Sequence, residues 1–268
     1  MVELKLLDVS IGYHHGLVVE NITFEARSGQ MLGLVGPNGC GKSTLLKAMS
    51  RVIQPQSGDI SINDRNLSKI PRRELARLLG VVPQIPLLPS NFTAFEIVLM
   101  GRNPHLGLLQ HEGAKDMAIA WEAMEKTLTQ HLAKRRIGEL SGGEIQSVVI
   151  ARVLAQQTDA VLLDEPTANL DIGRQIEILD LIKGLCHKNG FTVVIALHDL
   201  NLAAQYCDSL ILMNKGRIHC QGEPGGVITA DNIVKIYGSG SYVYSHPVSG
   251  LPVVLPTAGS SKETLKIK

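Results

Sequence analysis

The chain has 268 residues, enough to bury a full core as one large domain or two modest ones. Its 26 basic and 25 acidic residues leave a formal net charge of +1, so no nucleic acid or other polyanion is expected as a partner, and Arg72-Arg73 and Lys134-Arg135-Arg136 read as solvated faces. The composition also argues against a membrane span, a secretory leader and a disulfide framework. No window holds ~18 uninterrupted apolar residues, because the run through Phe92 and Met100 is broken by Glu96 and flanked by Pro89 and Pro104. Met1 to Lys5 has neither the basic start nor the apolar run of a signal peptide. Cys40, Cys186, Cys207 and Cys220 lie far apart without metal-ligand spacing, as expected of free thiols in a reducing compartment.

Leu4 to Tyr13 and Ile22 to Glu25 are predicted strands, with a turn at Ser28-Gly29. Tyr13, just upstream of the glycine-rich loop, reads from the residues alone as an ordinary core tyrosine. Met31-Leu32-Gly33-Leu34-Val35 is an apolar run suited to a buried strand. It leads into Gly36-Pro37-Asn38-Gly39-Cys40-Gly41-Lys42-Ser43-Thr44, which fits G-x-x-x-x-G-K-[ST], a loop that wraps nucleotide phosphates in backbone amides. Leu45, Leu46, Met49, Val52 and Ile53 then fall at helical spacing, so a strand runs through the loop into a helix whose N-terminus favours anions. In this reading Lys42 reaches the β/γ-phosphates and Ser43 ligands Mg²⁺. Cys40, beside that helix N-terminus, has two open readings: a thiol activated by that environment and protected by MgATP, or a buried, unreactive cysteine.

Asp59 to Asn63 alternates as an edge or half-buried strand, and Leu79 to Val82 forms a short strand ending at Pro83-Gln84. The composition shifts at Ile85 to Pro89. Thr93-Ala94-Phe95-Glu96 is a capping box opening a helix toward Gly101 and Pro104. Met117, Trp121, Met124 and Leu128 repeat as a second helical apolar face, so about 90–138 is a small helical insert. Leu140-Ser141-Gly142-Gly143-Glu144 opens a helix that is apolar nearly all round. Ala160 to Leu163 reads as a central parallel strand ending in Asp164-Glu165-Pro166. A helix carrying Ile172, Ile176, Leu179 and Ile182 returns to the strand Phe191 to Leu197, which delivers His198-Asp199. Strands alternating with helices imply an α/β protein with a parallel sheet.

Four apolar strands thus end in polar groups: the loop at Gly36, Gln84, Asp164-Glu165 and His198. Ligands of open parallel sheets bind outside the carboxyl ends of the strands, so one shared sheet would bring all four to one nucleotide. Each also has a plainer reading on its own, with Gln84 as a turn residue, Ser141 or Asp199 as a helix cap and His198 as a satisfied histidine. Phosphoryl transfer needs charge neutralisation and an oriented nucleophile. Asp164 suits Mg²⁺, Glu165 is placed to polarise an attacking water, and His198 to hold the γ-phosphate and that water in line. Gln84 is a candidate both beside these catalytic groups and beside Ser43 and Asp164 as a metal ligand. Ser141-Gly142-Gly143 at a helix N-terminus is a second anion cradle, able to close over the other face of a nucleotide in this molecule or in another copy.

The run Gly36 to Thr44, Gln84, Leu140 to Glu144, Val161 to Pro166, Asn169-Leu170-Asp171 and His198 resembles the ATP-binding-cassette (ABC) ATPase family, motif by motif and in order. The resemblance covers about residues 3–255. It implies a P-loop NTPase (RecA-like) parallel-sheet core with an N-terminal antiparallel β subdomain and an inserted helical subdomain. Tyr13 becomes the aromatic that stacks on adenine, and Ser141, Gly142 and Gly143 bind the γ-phosphate held by the opposite protomer of a head-to-tail dimer with two ATP molecules. Asp171 then lies in a loop crossing the dimer interface. The implied division is 1–89 and 158–240 as the two parts of the nucleotide-binding core, 90–157 as the helical subdomain and 241–268 as a tail, with Gly259 to Lys268 polar and frayed.

Within the family, Gly101 to Gly107 and His246 to Val254 resemble ATPase subunits of importers for iron-siderophore, haem and cobalamin complexes. ATP and Mg²⁺ are the implied cofactors. The implied partners are integral-membrane permease subunits and, indirectly, a substrate-binding protein, with the chain on the cytoplasmic face of the membrane. A groove between the helical insert and the Gln84 loop would receive a short permease helix. Ser147 departs from the pattern, since many relatives carry arginine there. The rival readings are a soluble cassette ATPase of DNA repair or translation, a transporter ATPase for another substrate class, and a nucleotide-sensing module without turnover. The first is disfavoured because neither a long coiled-coil insert nor a second cassette occurs in the chain.

Overall fold

A computed structural model describes residues 2–13, 16–107, 109–168, 170–238 and 240–257. Asn169 and the tail Gly259 to Lys268 lie outside the described residues. The chain opens with β1 (Leu4–Tyr13) and β2 (Gly16–Ala26), an antiparallel pair. β3 (Met31–Val35) runs through the glycine-rich loop into α1 (Lys42–Met49), followed by β4 (Ser57–Ile62), β5 (Arg65–Asn66), α2 (Arg72–Leu78) and β6 (Leu79–Val82). The helical insert comprises α3 (Ala94–Leu99), a 3₁₀ stretch Met100–His105 and α4 (Ala114–Lys126). Then come α5 (Gly142–Ala155), β7 (Ala160–Asp164), α6 (Ile172–Asn189), β8 (Thr192–Ala196), α7 (Leu200–Tyr206), β9 (Ser209–Asn214) and β10 (Arg217–Gly222). α8 (Pro224–Val227), α9 (Ala230–Tyr237) and the hairpin β11 (Ser241–Ser245)–β12 (Pro252–Pro256) complete the described chain.

The central sheet has the order β10-β9-β3-β8-β7-β6, parallel throughout except for the edge strand β10. β3, β7 and β8 are buried at every position, which is why they read as continuous apolar runs without alternation. Period-2 geometry still divides them between two cores. Leu32 and Leu34 of β3 face the core shared with α1 and with the antiparallel sheet β2-β1-β4-β5, while Met31 and Val35 face α5, α6 and α7. α5 is apolar on two sides for a related reason. Val149, Ile150 and Val153 pack on the central sheet, whereas Val148, Ala151 and Ala155 pack in a third core with Ile97, Val98 and Met124 of the insert. The resulting α/β architecture is the one the sequence implied.

Several helical faces differ from expectation. The buried stripe of α4 is Ala120, Ala123 and Met124, whereas Met117, Trp121 and Leu128 are exposed. Small alanines let α4 approach α5 closely, and Trp121 instead lies over Phe95, ring centroids 5.0 Å apart. Leu128 follows the end of α4 at φ +55°, so helical spacing no longer governs it. On α6 the buried residues are Ile178, Leu179, Ile182 and Cys186, while Ile172 and Ile176 in its first turns stay exposed. The second strand begins earlier than Ile22, at Gly16.

Candidate nucleotide site

The strand register explains why the four polar groups meet. β3, β6, β7 and β8 are parallel members of one sheet, and their carboxyl ends carry the Gly36 loop, Gln84, Asp164-Glu165 and His198. At Gly36 the backbone has φ +146°, and a Cβ there would come within 2.2 Å of the Met213 carbonyl oxygen. Gly41 caps α1 in the left-handed region, with Val19 beneath it, so a side chain would break the turn that aims the helix N-terminus. Lys42 is buried and its Nζ donates to the Gly36 carbonyl at 2.7 Å and to the Pro37 carbonyl at 3.3 Å, inside the loop. Asn38 and Gly39 are exposed at the rim.

Ser43, in the first turn of α1, donates its hydroxyl to Asp164 Oδ1 at 2.9 Å. Burial pushes the Asp164 carboxyl above its ordinary range, opposed by the Ser43 hydrogen bond. Glu165 is buried at φ +49°, uncommon for a residue with a side chain, and its N–H is held by the Ala196 carbonyl of β8 at 3.1 Å. Its Oε2 accepts from the Gln84 side-chain amide and lies 2.5 Å from His198 Nε2. The structure therefore brings Gln84 to Glu165 through its amide nitrogen. His198 is half exposed, so its ring spans from the buried carboxylate to open solvent.

Tyr13 ends β1 at 46% exposure, which overturns its reading as a core tyrosine. Ser141 caps α5: its Oγ accepts from the Glu144 N–H, and Glu144 accepts from the Ser141 N–H at 2.7 Å. Ser141 and Gly142 are exposed and Gly143 is half-buried, and no hydrogen bond among the described residues joins Ser141, Gly142 or Gly143 to the Gly36 loop. Asp171 and Asp199 are side-chain N-caps of α6 and α7. Ser147 is buried and donates back to the Gly143 carbonyl at 3.1 Å. Cys40 is 4% exposed, and burial pushes its thiol up despite the Lys42 ammonium 3.9 Å away, so of the two readings the structure favours the buried thiol over the reactive thiolate.

One supporting element escaped the sequence reading. The β9–β10 hairpin turns at Lys215-Gly216, both at positive φ, and the Gly216 N–H donates to the Cys40 carbonyl at 3.1 Å. This hairpin buttresses the phosphate loop from behind, and a Cβ at Gly216 would strike the Val18 carbonyl oxygen at 2.3 Å. The signal was present as Asn214-Lys215-Gly216 between two apolar runs, a two-residue hairpin pattern.

Residues 19–168 match the ABC transporter family model. The ferric enterobactin transport ATP-binding protein FepC of Escherichia coli is 39% identical over 256 residues, covering 96% of this chain and 94% of that protein. A solved structure described as the inward-facing conformation of a metal-chelate type ABC transporter superposes with a TM-score of 0.83 at 28% identity, covering 96% of this chain and 98% of that one. The cassette MJ0796, solved as a dimer in a post-hydrolysis state with ADP and Pi, gives 0.75 at 28% identity, covering 82% and 98%. The chain belongs to the ABC transporter family, as an ATP-binding and ATP-hydrolysing cassette.

Proposed function

We propose that this chain is the ATPase subunit of an importer for a metal chelate of the iron-siderophore type, working as a head-to-tail dimer on the cytoplasmic face beneath integral-membrane permease subunits fed by a substrate-binding protein. The observation that carries the catalytic reading is the convergence of His198 Nε2 and the Gln84 side-chain amide on the single oxygen Oε2 of Glu165 beside the Ser43–Asp164 pair. The cargo class is supported by the likeness to FepC and to the metal-chelate type transporter. The dimer is supported by the MJ0796 cassette and by the exposed Ser141 helix end, which has no contact with its own phosphate loop to make. No helix of the described residues is long and apolar enough to cross a membrane, so the membrane role falls to partners.

In this mechanism the loop amides and Lys42 hold the phosphates, Tyr13 offers its exposed ring to the base, and Thr44 continues the phosphate-facing turn of α1. Ser43 and Asp164 are hard oxygen donors 2.9 Å apart, and the buried Asp164 carboxylate lacks a full counter-charge, which fits a divalent cation. Gln84 donates its NH₂ to Glu165, leaving the amide oxygen as the atom a metal would take. Mg²⁺, when bound, supplies charge neutralisation on the phosphate oxygens. Glu165 accepts the proton of the attacking water, and His198, fixed by Glu165, aligns water and γ-phosphate. Changing Glu165 to Gln keeps size and removes charge. Hydrolysis should slow by ~10²–10⁴-fold, the usual contribution of a general base, with ATP affinity retained. Phosphate release and nucleotide titration measure both, and turnover at the parental rate would remove Glu165 from the chemistry. For the cargo, cells lacking the chain should lose uptake of a labelled ferric siderophore, and Lys42→Ala should not restore it.

A further inference from the structure

The four cysteines show no metal-ligand spacing along the chain, yet folding assembles a donor cluster that nucleotide chemistry does not use. Cys186 and His187 end α6, and Asp208 precedes β9. Cys186 Sγ, His187 Nε2 and an Asp208 carboxylate oxygen all lie within 4.8 Å of one another. The group sits at the amino ends of the parallel strands, because Asp208 Oδ2 accepts the Met31 N–H at the start of β3 at 2.7 Å. β3 has five residues, so this end is about 16 Å from the phosphate loop at 3.3 Å per residue.

We propose that Cys186, His187 and Asp208 form a binding site for a divalent transition-metal ion of the zinc class, separate from the nucleotide site. The donor set is one sulfur, one imidazole nitrogen and one carboxylate oxygen, which suits borderline-soft Zn²⁺ and disfavours Mg²⁺ or Ca²⁺. The carboxylate is already oriented by the Met31 N–H, and His187 Nε2 lies 3.1 Å from each of its oxygens, a spacing a shared cation can bridge. The His187 and Asp208 side chains are 43% and 32% exposed, giving an entry path and a solvent-facing fourth position, while Cys186 forms the floor. The Cys186 thiol now donates to the Phe191 carbonyl at 3.3 Å. On metal binding the S–H bond breaks, the proton goes to solvent and a metal–sulfur bond forms. The nearest cation, Lys183, is drawn aside by the Gln205 carbonyl at 3.0 Å and the Tyr206 ring at 5.6 Å. A bound ion would tie the end of α6 to the starts of β3 and β9.

The alternative is a plain His187–Asp208 ion pair, and Co²⁺ distinguishes the two. Titrating the purified, nucleotide-free chain with Co²⁺ should give one ion per chain with a sulfur-to-cobalt charge-transfer band, bleached by one equivalent of Zn²⁺. Cys186→Ser should abolish the band. His187→Gln, at an exposed position that leaves the fold intact, should weaken binding at least tenfold, and both variants should keep the parental ATPase rate. Absence of a charge-transfer band, a band that survives Cys186→Ser, or unchanged affinity in His187→Gln would overturn the site and leave the ion pair.

Discussion

Cys40 shows two opposed effects at one atom. A helix N-terminus and an ammonium 3.9 Å away lower a thiol's pKa, whereas burial raises it. Burial prevails here, with the loop backed by the Gly216 N–H on the Cys40 carbonyl. Iodoacetamide at neutral pH should therefore modify Cys220, the least buried of the four cysteines, before Cys40. Labelling of Cys40 should accelerate only above the ordinary thiol range. Peptide mass mapping over a pH series checks this, and rapid labelling of Cys40 near pH 7 would show that Lys42 prevails after all. Glu165 is the other informative residue. Its left-handed backbone is held by β8, so the carboxylate proposed as the general base is aimed by a neighbouring strand as well as its own.

Among the elements, the joint between helical insert and core is built by Gly101 to His105, part of the Gly101 to Gly107 stretch that, with His246 to Val254, resembles metal-chelate importers. Arg102 is buried, with Nε on Asp116 Oδ1 at 3.0 Å and Nη1 on the Ala155 carbonyl at 2.7 Å and Gln157 Oε1 at 3.0 Å. His105 meets the Gln156 carbonyl at 2.8 Å, and Arg73 and Arg77 both donate to the Pro104 carbonyl. A Cβ at Gly101 would sit 2.2 Å from the Arg152 carbonyl oxygen, so α5 and the 3₁₀ stretch touch backbone to backbone. The hydrogen bond from Arg102 holds the Asp116 carboxyl below its usual value, helped by the Gly113 N–H. With a depressed folded-state pKa, this stabilisation is present above the unfolded value of about 4 and is lost as pH falls through the folded one. Asp116→Asn should cost about 2 kcal/mol at neutral pH, the range for a hydrogen bond to a charged group. The difference from the parent should shrink below pH ~4. Urea midpoints at both pH values measure it, and a pH-independent difference would assign the loss to packing.

For the whole molecule, the nucleotide site has one open side. Ser141 and Gly142 face solvent, with Gly143 half-buried, and Ile172 and Ile176 at the start of α6 are exposed, beside the N-cap Asp171. In the proposed dimer these exposed apolar residues and the Ser141 helix end belong to a surface that closes on a second copy with ATP between. Bound ligand stabilises the state that binds it, so the Glu165→Gln chain should shift from monomer to dimer on adding ATP. Ser141→Arg in the same background should prevent the shift while each chain still binds ATP on its own Gly36 loop. Size-exclusion chromatography with light scattering reads both, and a Glu165→Gln chain that stays monomeric at saturating ATP would count against the sandwich. Circular dichroism guards against simple loss of the α5 cap, worth ~1 kcal/mol.

The sequence by itself determined the parallel core strands, the phosphate loop with its helix, and the caps at Thr93 and Ser141, since each depends on local spacing and short-range hydrogen bonds. Continuous apolar runs such as Ala160 to Leu163 could hardly be anything but buried strands, and polar residues at their ends had one place to converge. Tertiary structure decided what local pattern leaves ambiguous. The side of α4 that is buried followed from alanines that allow close approach to α5, not from its larger residues Met117 and Trp121. The state of Cys40 depended on a hairpin more than 170 residues away in the chain, and the Cys186–His187–Asp208 cluster on β9 returning beside the end of α6. Burial and long-range contact are properties of the packed chain, so neither could be read from spacing alone.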